Sequence, residues 1–201
     1  MLKDNILKDE YSLDGISGIL VLAPEIFLFC SILILIPLNL YFFKSKPFKS
    51  SSKFSYFIIF FTSLLVLLNP FQGLAFNDLI YVGNFNKFAK CLILLCVFFI
   101  LLMAKNKSEI ESISYPEFNL LILLSTCGMM IAVSSNNLMT LFLAIELQAL
   151  PIYVLCTLRK NNLKSTESGL KYFLLGALSS GFLLFGISLI YGFVGSTNFN
   201  D

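Results

Sequence analysis

The sequence predicts an all-α integral membrane protein with about six transmembrane helices. Of its 201 residues, 57% are hydrophobic and 13% are charged, against about 45–50% and about 25% in soluble domains. Mean hydropathy is +0.85. The apolar residues also gather in long runs, and a run of about 18 or more crosses a bilayer core of about 30 Å. Short gaps between the runs hold most of the basic residues.

The runs fall at about 19–43, 54–70, 88–104, 117–134, 137–158 and 168–194, and they form one membrane domain over residues 1–201. Span one opens with Pro24 and Glu25, read as a first-turn proline beside an interfacial acid. Glu117 after Pro116 reads the same way for span four. The longest polar gap, about 71–87, contains Pro70, Gly73 and Gly83 at or near its edges. Between spans four and five, "SSNN" predicts a tight turn joining antiparallel helices, with Asn136 or Asn137 capping span five. Span six carries Gly176/Ser180 and Ala177/Gly181, a spacing that lets helices approach closely. It is therefore expected to be buried against protein, of this chain or of another.

Loop charge sets the orientation. Lys44, Lys46, Lys49 and Lys53 in loop one, Lys105 and Lys107 in loop three, and Arg159, Lys160 and Lys164 in loop five make nine of the 14 basic residues. Loop two offers Lys87, with Lys90 at a helix entrance, and loop four has none. The positive-inside rule turns the odd loops toward the electronegative compartment and both termini away from it.

A net charge of +2 is too small to suggest nucleic acid as a partner. Cys30, Cys91, Cys96, Cys127 and Cys156 all sit in apolar runs without a CxxC pair, so no redox cofactor is expected on this chain. The N-terminus "MLKDNILKDEYSLDG" mixes acids and bases, unlike a transit or signal peptide.

The stretch "LFLAIELQALPIYVL" at 141–155 places Glu146 and Pro151 inside span five. Glu146 lies nine residues beyond Asn137, about 14 Å into the helix and out of snorkelling reach. A charged residue at mid-span costs roughly 2.5–3.5 kcal/mol and is functional by default. Burial raises a carboxylate pKa and a nearby cation lowers it, so such an acid can exchange protons. The alternative is a neutral acid that only ties helices together. Pro151 cannot donate to the Leu147 carbonyl, which loosens the turn beside Glu146. Lys171, about 9 Å into span six, is the other charge of interest, offset from Glu146 along the axis by about 9 Å. Glu167 at i−4 offers Lys171 an ordinary helical ion pair instead.

From Tyr115 to Asp201, "YPEFNLLILLSTCGMMIAVSSNNLMTLFLAIELQALPIYVL" and "STESGLKYFLLGALSSGFLLFGISLIYGFVGSTNF" resemble subunit 2 of proton-pumping NADH:ubiquinone oxidoreductase, respiratory complex I. "APEIFLF" at 23–29 is a weaker match to the family's first helix. The resemblance implies an antiporter-like inverted-repeat fold, of which this chain is the N-terminal part. It places the family's fifth-helix acid on Glu146 and its sixth-helix lysine on Lys171. The family's function implies proton translocation coupled to NADH oxidation and quinone reduction, as a subunit of an enzyme whose redox chemistry lies on other chains. The implied partners are other membrane-arm subunits of complex I and lipids. A Phe-, Leu-, Ile-, Asn- and Lys-rich composition suits an AT-rich organelle gene. This gives a mitochondrial inner-membrane expectation, with both termini on the intermembrane-space side.

The chain stops where the family's seventh helix begins, before the lysine expected to face Glu146. A split subunit, with a separate chain carrying the remaining helices, is the favoured expectation, and a truncated chain is the alternative. A stand-alone cation/proton antiporter subunit and a purely structural membrane-arm piece are the competing functions.

Overall fold

The computed structural model describes residues 12–13, 16–42, 47–111, 117–159 and 162–200. Three short strands and a short helix precede or interrupt the spans: β1 (Ser12–Leu13), α1 (Ile16–Val21), β2 (Gly73–Ala75) and β3 (Ile80–Val82). The long helices are α2 (Ala23–Pro37), α3 (Pro47–Leu68), α4 (Asn84–Glu111), α5 (Glu117–Ser134), α6 (Leu138–Cys156) and α7 (Leu163–Val194). A π-helical turn, Leu38–Phe42, extends α2. Among the described residues, six helical segments are long and apolar enough to cross a membrane.

α3 begins seven residues before the apolar run, because Ser51, Ser52 and Ser55 are buried within the bundle rather than exposed in a loop. α4 runs on through Lys105 and Lys107 to Glu111, so the third loop is shorter than the sequence suggests. Lys44, Lys46 and Lys160 lie outside the described residues. Hydroxyls inside the spans bond back to carbonyls of the preceding turn: Ser55 to Ser51 at 3.0 Å, Thr62 to Ile58 at 2.7 Å and Thr126 to Ile122 at 2.7 Å. Without water in the hydrocarbon, these bonds meet the need of each hydroxyl locally.

α2, α3, α4 and α5 form a four-helix bundle. α3 and α5 each pack on both α2 and α4, which face each other across the diagonal. Its core contains Leu28, Ile32 and Leu35 of α2, Ile58, Ile59 and Val66 of α3, Leu94, Val97 and Leu101 of α4, and Leu123, Cys127 and Met130 of α5. α6 joins by packing most extensively on α5, and α7 packs on α6.

A small sheet, absent from the all-α expectation, covers the end of the bundle near the α2 and α4 N-termini. β1 pairs parallel with β2, and β2 pairs antiparallel with β3, so the gap at 71–87 is a hairpin. Its turn holds Phe76, Asn77 and Asp78 at positive φ of 56°, 53° and 64°, a left-handed run costly for side-chain-bearing residues. The α5–α6 loop holds this turn: Asn136 N donates to Leu79 O at 2.9 Å and Asn136 Nδ2 to Asp78 O at 3.0 Å. The "SSNN" loop is thus a hub. Leu138 N donates to Thr197 O at 2.9 Å, and Asn137 Nδ2 bonds Thr197 Oγ1 and Asn198 Oδ1, each at 2.8 Å.

Candidate functional site

α6 presents the site. Asn137 caps its start: the side chain accepts from Met139 N at 2.8 Å, meeting one of the donors that a helix start leaves open. This fixes where the helix begins and hence how deep Glu146 sits.

One face of α6 is pressed against α5. A Cβ placed on Gly128 lies 2.5 Å from Gln148 N and 2.9 Å from Ala144 O. Only glycine lets the two backbones come this close. Ser125 Oγ adds a 3.1 Å bond to the Gln148 carbonyl. Ala144 and Pro151, seven residues apart on that face, are the two fully buried residues of α6. The helix is continuous through Pro151, so any opening the proline makes is confined to its own turn. Ser125 serves the carbonyl of Gln148, the neighbour of Leu147, whose own carbonyl Pro151 leaves without its usual donor.

Glu146 is two residues from Ala144, about 200° around the helix, and so lies away from α5. It is half-buried. Among the described residues no hydrogen bond or ion pair holds its carboxylate. Tyr153, two turns further on the same stripe, lies within electrostatic reach of that charge. Its ring meets Tyr172 and Phe173 edge-on at 5.0 Å and 5.7 Å, forming the aromatic seam between α6 and α7.

Contacts along this seam set the register. Gly169 meets Thr157, and Gly176 meets the Tyr153 hydroxyl. In antiparallel helices this puts Lys171 level with Leu155 and Glu146 level with Ser180. Nine residues separate Glu146 from Leu155, an axial offset of about 14 Å, larger than the 9 Å expected from span ends alone. Lys171 instead pairs with Glu167 at 2.5 Å, both side chains well exposed. The structure therefore does not bring Glu146 and Lys171 together.

The burial expected of α7 is not met within the described residues: of its 32 residues only Gly169 and Ile187 are buried. Leu178, Phe182, Phe185, Leu189 and Phe193 are exposed. Beyond Gly181, Gly186 and Gly192 there is open space.

Sequence reasoning missed one pair of ionisable residues. Glu25, read as interfacial, and Lys90, read as an entrance residue, form a 2.6 Å ion pair with 4% and 2% of their side chains exposed. Glu117, by contrast, is exposed at its helix start.

Comparison with known proteins places this arrangement. The NADH:quinone oxidoreductase/Mrp antiporter membrane-domain family matches residues 135–201, which contain α6 and α7. NADH-quinone oxidoreductase subunit N of Pelagibacter ubique is 44% identical over 89% of this chain and 38% of its own length. NADH-ubiquinone oxidoreductase chain 2 of Marchantia polymorpha is 39% identical over 90% of this chain and 39% of its own length. The chain spans about two fifths of the length of these curated relatives. In the structure of respiratory complex I from Thermus thermophilus with bound aureothin, one chain superposes with a TM-score of 0.74 at 26% identity, over 89% of this chain and 38% of that one. The archaeal membrane-bound sulfane sulfur reductase shares the fold, with a TM-score of 0.72 at 21% identity. This chain is homologous to the N-terminal part of subunit N, or chain 2, of NADH:quinone oxidoreductase, an antiporter-like membrane subunit of respiratory complex I.

Proposed function

We propose that this chain supplies one half of a proton-transfer site in a complex I membrane arm. The observation that carries this reading is Glu146: a mid-membrane acid on a helix sealed against α5 on one face, with no partner among the described residues on the other. An unpaired carboxylate in a low-dielectric setting favours the neutral form, and a cation brought beside it favours the charged form. Alternation between these conditions moves a proton. The cation is a lysine on a helix that covers the α6–α7 face. Pro151 keeps the turn after Glu146 adjustable. Lys171 is a second station toward the basic-loop end, reached from Glu146 only through groups or water filling about 14 Å. The driving redox chemistry, with NADH and quinone, belongs to other chains, and this one carries no cofactor. The setting is the mitochondrial inner membrane, with the lysine-bearing odd loops toward the matrix and both termini on the opposite side.

The test is Glu146→Gln in the assembled complex, read as protons moved per NADH oxidised. This substitution keeps shape and removes the titratable group. The reading expects pumping to fall at least about twofold while the complex still assembles. Unchanged pumping instead assigns the acid a purely structural role. The matching family model also names Mrp antiporters, which supports a second reading as a stand-alone cation/proton antiporter subunit. Purification of the chain from native membranes without NADH-oxidising partners favours that second reading.

A further inference from the structure

The Glu25–Lys90 pair lies in the four-helix bundle, on helices other than the one that carries Glu146. It joins α2 to α4, the two helices that face each other across the diagonal of the four-helix bundle. Lys90 is six residues into α4, about 9 Å from its start. Both side chains are almost fully enclosed, so neither charge reaches water along its own stem. Each helix alone therefore carries a charge that lipid does not tolerate, and only the native pairing of α2 with α4 neutralises both.

The surroundings argue against a proton path through this pair. Leu28 lies one turn beyond Glu25 and Leu94 one turn beyond Lys90, and both are fully buried. With Val97 and Leu123 they close the bundle interior below the pair. The other buried polar side chains of the bundle are tied to backbone or to one another: Asn86 Nδ2 donates to Tyr81 O at 2.6 Å, Thr62 and Thr126 donate to Ile58 O and Ile122 O, and Asn119, toward the other end, donates to Ser51 at 3.3 Å and Ser52 at 3.0 Å. Above the pair, α4 leads directly back into β3 and the hairpin. The Asn136 loop that starts α6 is fastened to that hairpin.

We infer that Glu25 and Lys90 form a pairing clamp: a diagonal ion pair that selects the native association of α2 with α4, rather than a station for proton transfer. Its energetic signature is specific. Removing one partner strands a buried charge, whereas removing both leaves a neutral contact of similar size.

Four variants of the full chain in its native membrane decide this: Glu25→Gln, Lys90→Met, the two together, and the reversal Glu25→Lys with Lys90→Glu. The readouts are the amount of folded chain in the membrane and, for assembled complex, protons moved per NADH. Each single change is expected to lower the folded chain at least about fivefold. The neutral double variant returns to within about twofold of the parent and keeps the parent's proton ratio. The reversal lies above either single change. Three results overturn the clamp: single variants within twofold of the parent, a double variant as depleted as the worse single, or a folded double variant with a lost proton ratio. The abundance measurement stands whether or not the function proposed for Glu146 holds.

Discussion

Two of the ionisable sites within the spans are built on opposite terms. Glu25 and Lys90 meet at 2.6 Å inside a bundle that encloses them. Glu146 has a sealed helix behind it and, among the described residues, no partner in front. The bundle of α2–α5 is closed within this chain: Thr62 and Thr126 bond back to their own helices, its core is continuous, and Glu25 faces Lys90. The α6–α7 region is satisfied on one side only. In the proposed account, charge inside the membrane has two uses, which its environment distinguishes: paired and enclosed, it specifies which helices associate; single and half-open, it takes a group from elsewhere.

The sharpest way to break this comparison is one substitution made in both regions. Gly128→Leu drives a side chain into the α6 backbone at Gln148 and Ala144, and should destabilise the chain by about 3 kcal/mol or more. Thermal unfolding in detergent measures this as a lowered midpoint. Gly181→Leu enters open space and should change the chain's own stability by less than about 0.5 kcal/mol. If helices from elsewhere cover α7, Gly181→Leu will still weaken assembly of the larger complex, which native electrophoresis reads.

An intermediate effect is expected at the hub. Asn136→Ala removes the bond to Asp78 O and should cost about 1–2 kcal/mol. Amide exchange should rise first at residues 76–80, where the left-handed turn loses its support. The smallest effect belongs to the exposed pair. Glu167→Gln breaks the bond to Lys171, but should cost no more than about 0.5 kcal/mol. A larger loss would show that Lys171 has a second, more demanding partner.

Much of this contrast was legible in the sequence, because lipid imposes one-dimensional rules. Apolar run lengths gave six spans, "SSNN" gave the α5–α6 turn with Asn137 as the cap, and depth arithmetic put Glu146 at mid-span. What depends on distant pairing was not legible. Glu25 and Lys90 are 65 residues apart in the chain, and each alone resembled a helix-entrance charge. The hairpin at 73–82 draws its support from Asn136, far along the chain. The α6–α7 register is set by two glycines, Gly169 and Gly176, fitting against Thr157 and Tyr153. That fit, not the span ends, moves Lys171 further from Glu146.

The most direct test of the central claim asks what covers the open half. A photo-crosslinking residue at Leu178, on the exposed face of α7, is activated in native membranes and the captured segment is sequenced. The account predicts a membrane helix from outside residues 1–201 that carries a lysine within its span. Capture of lipid alone, with the complex assembled and pumping, would contradict it.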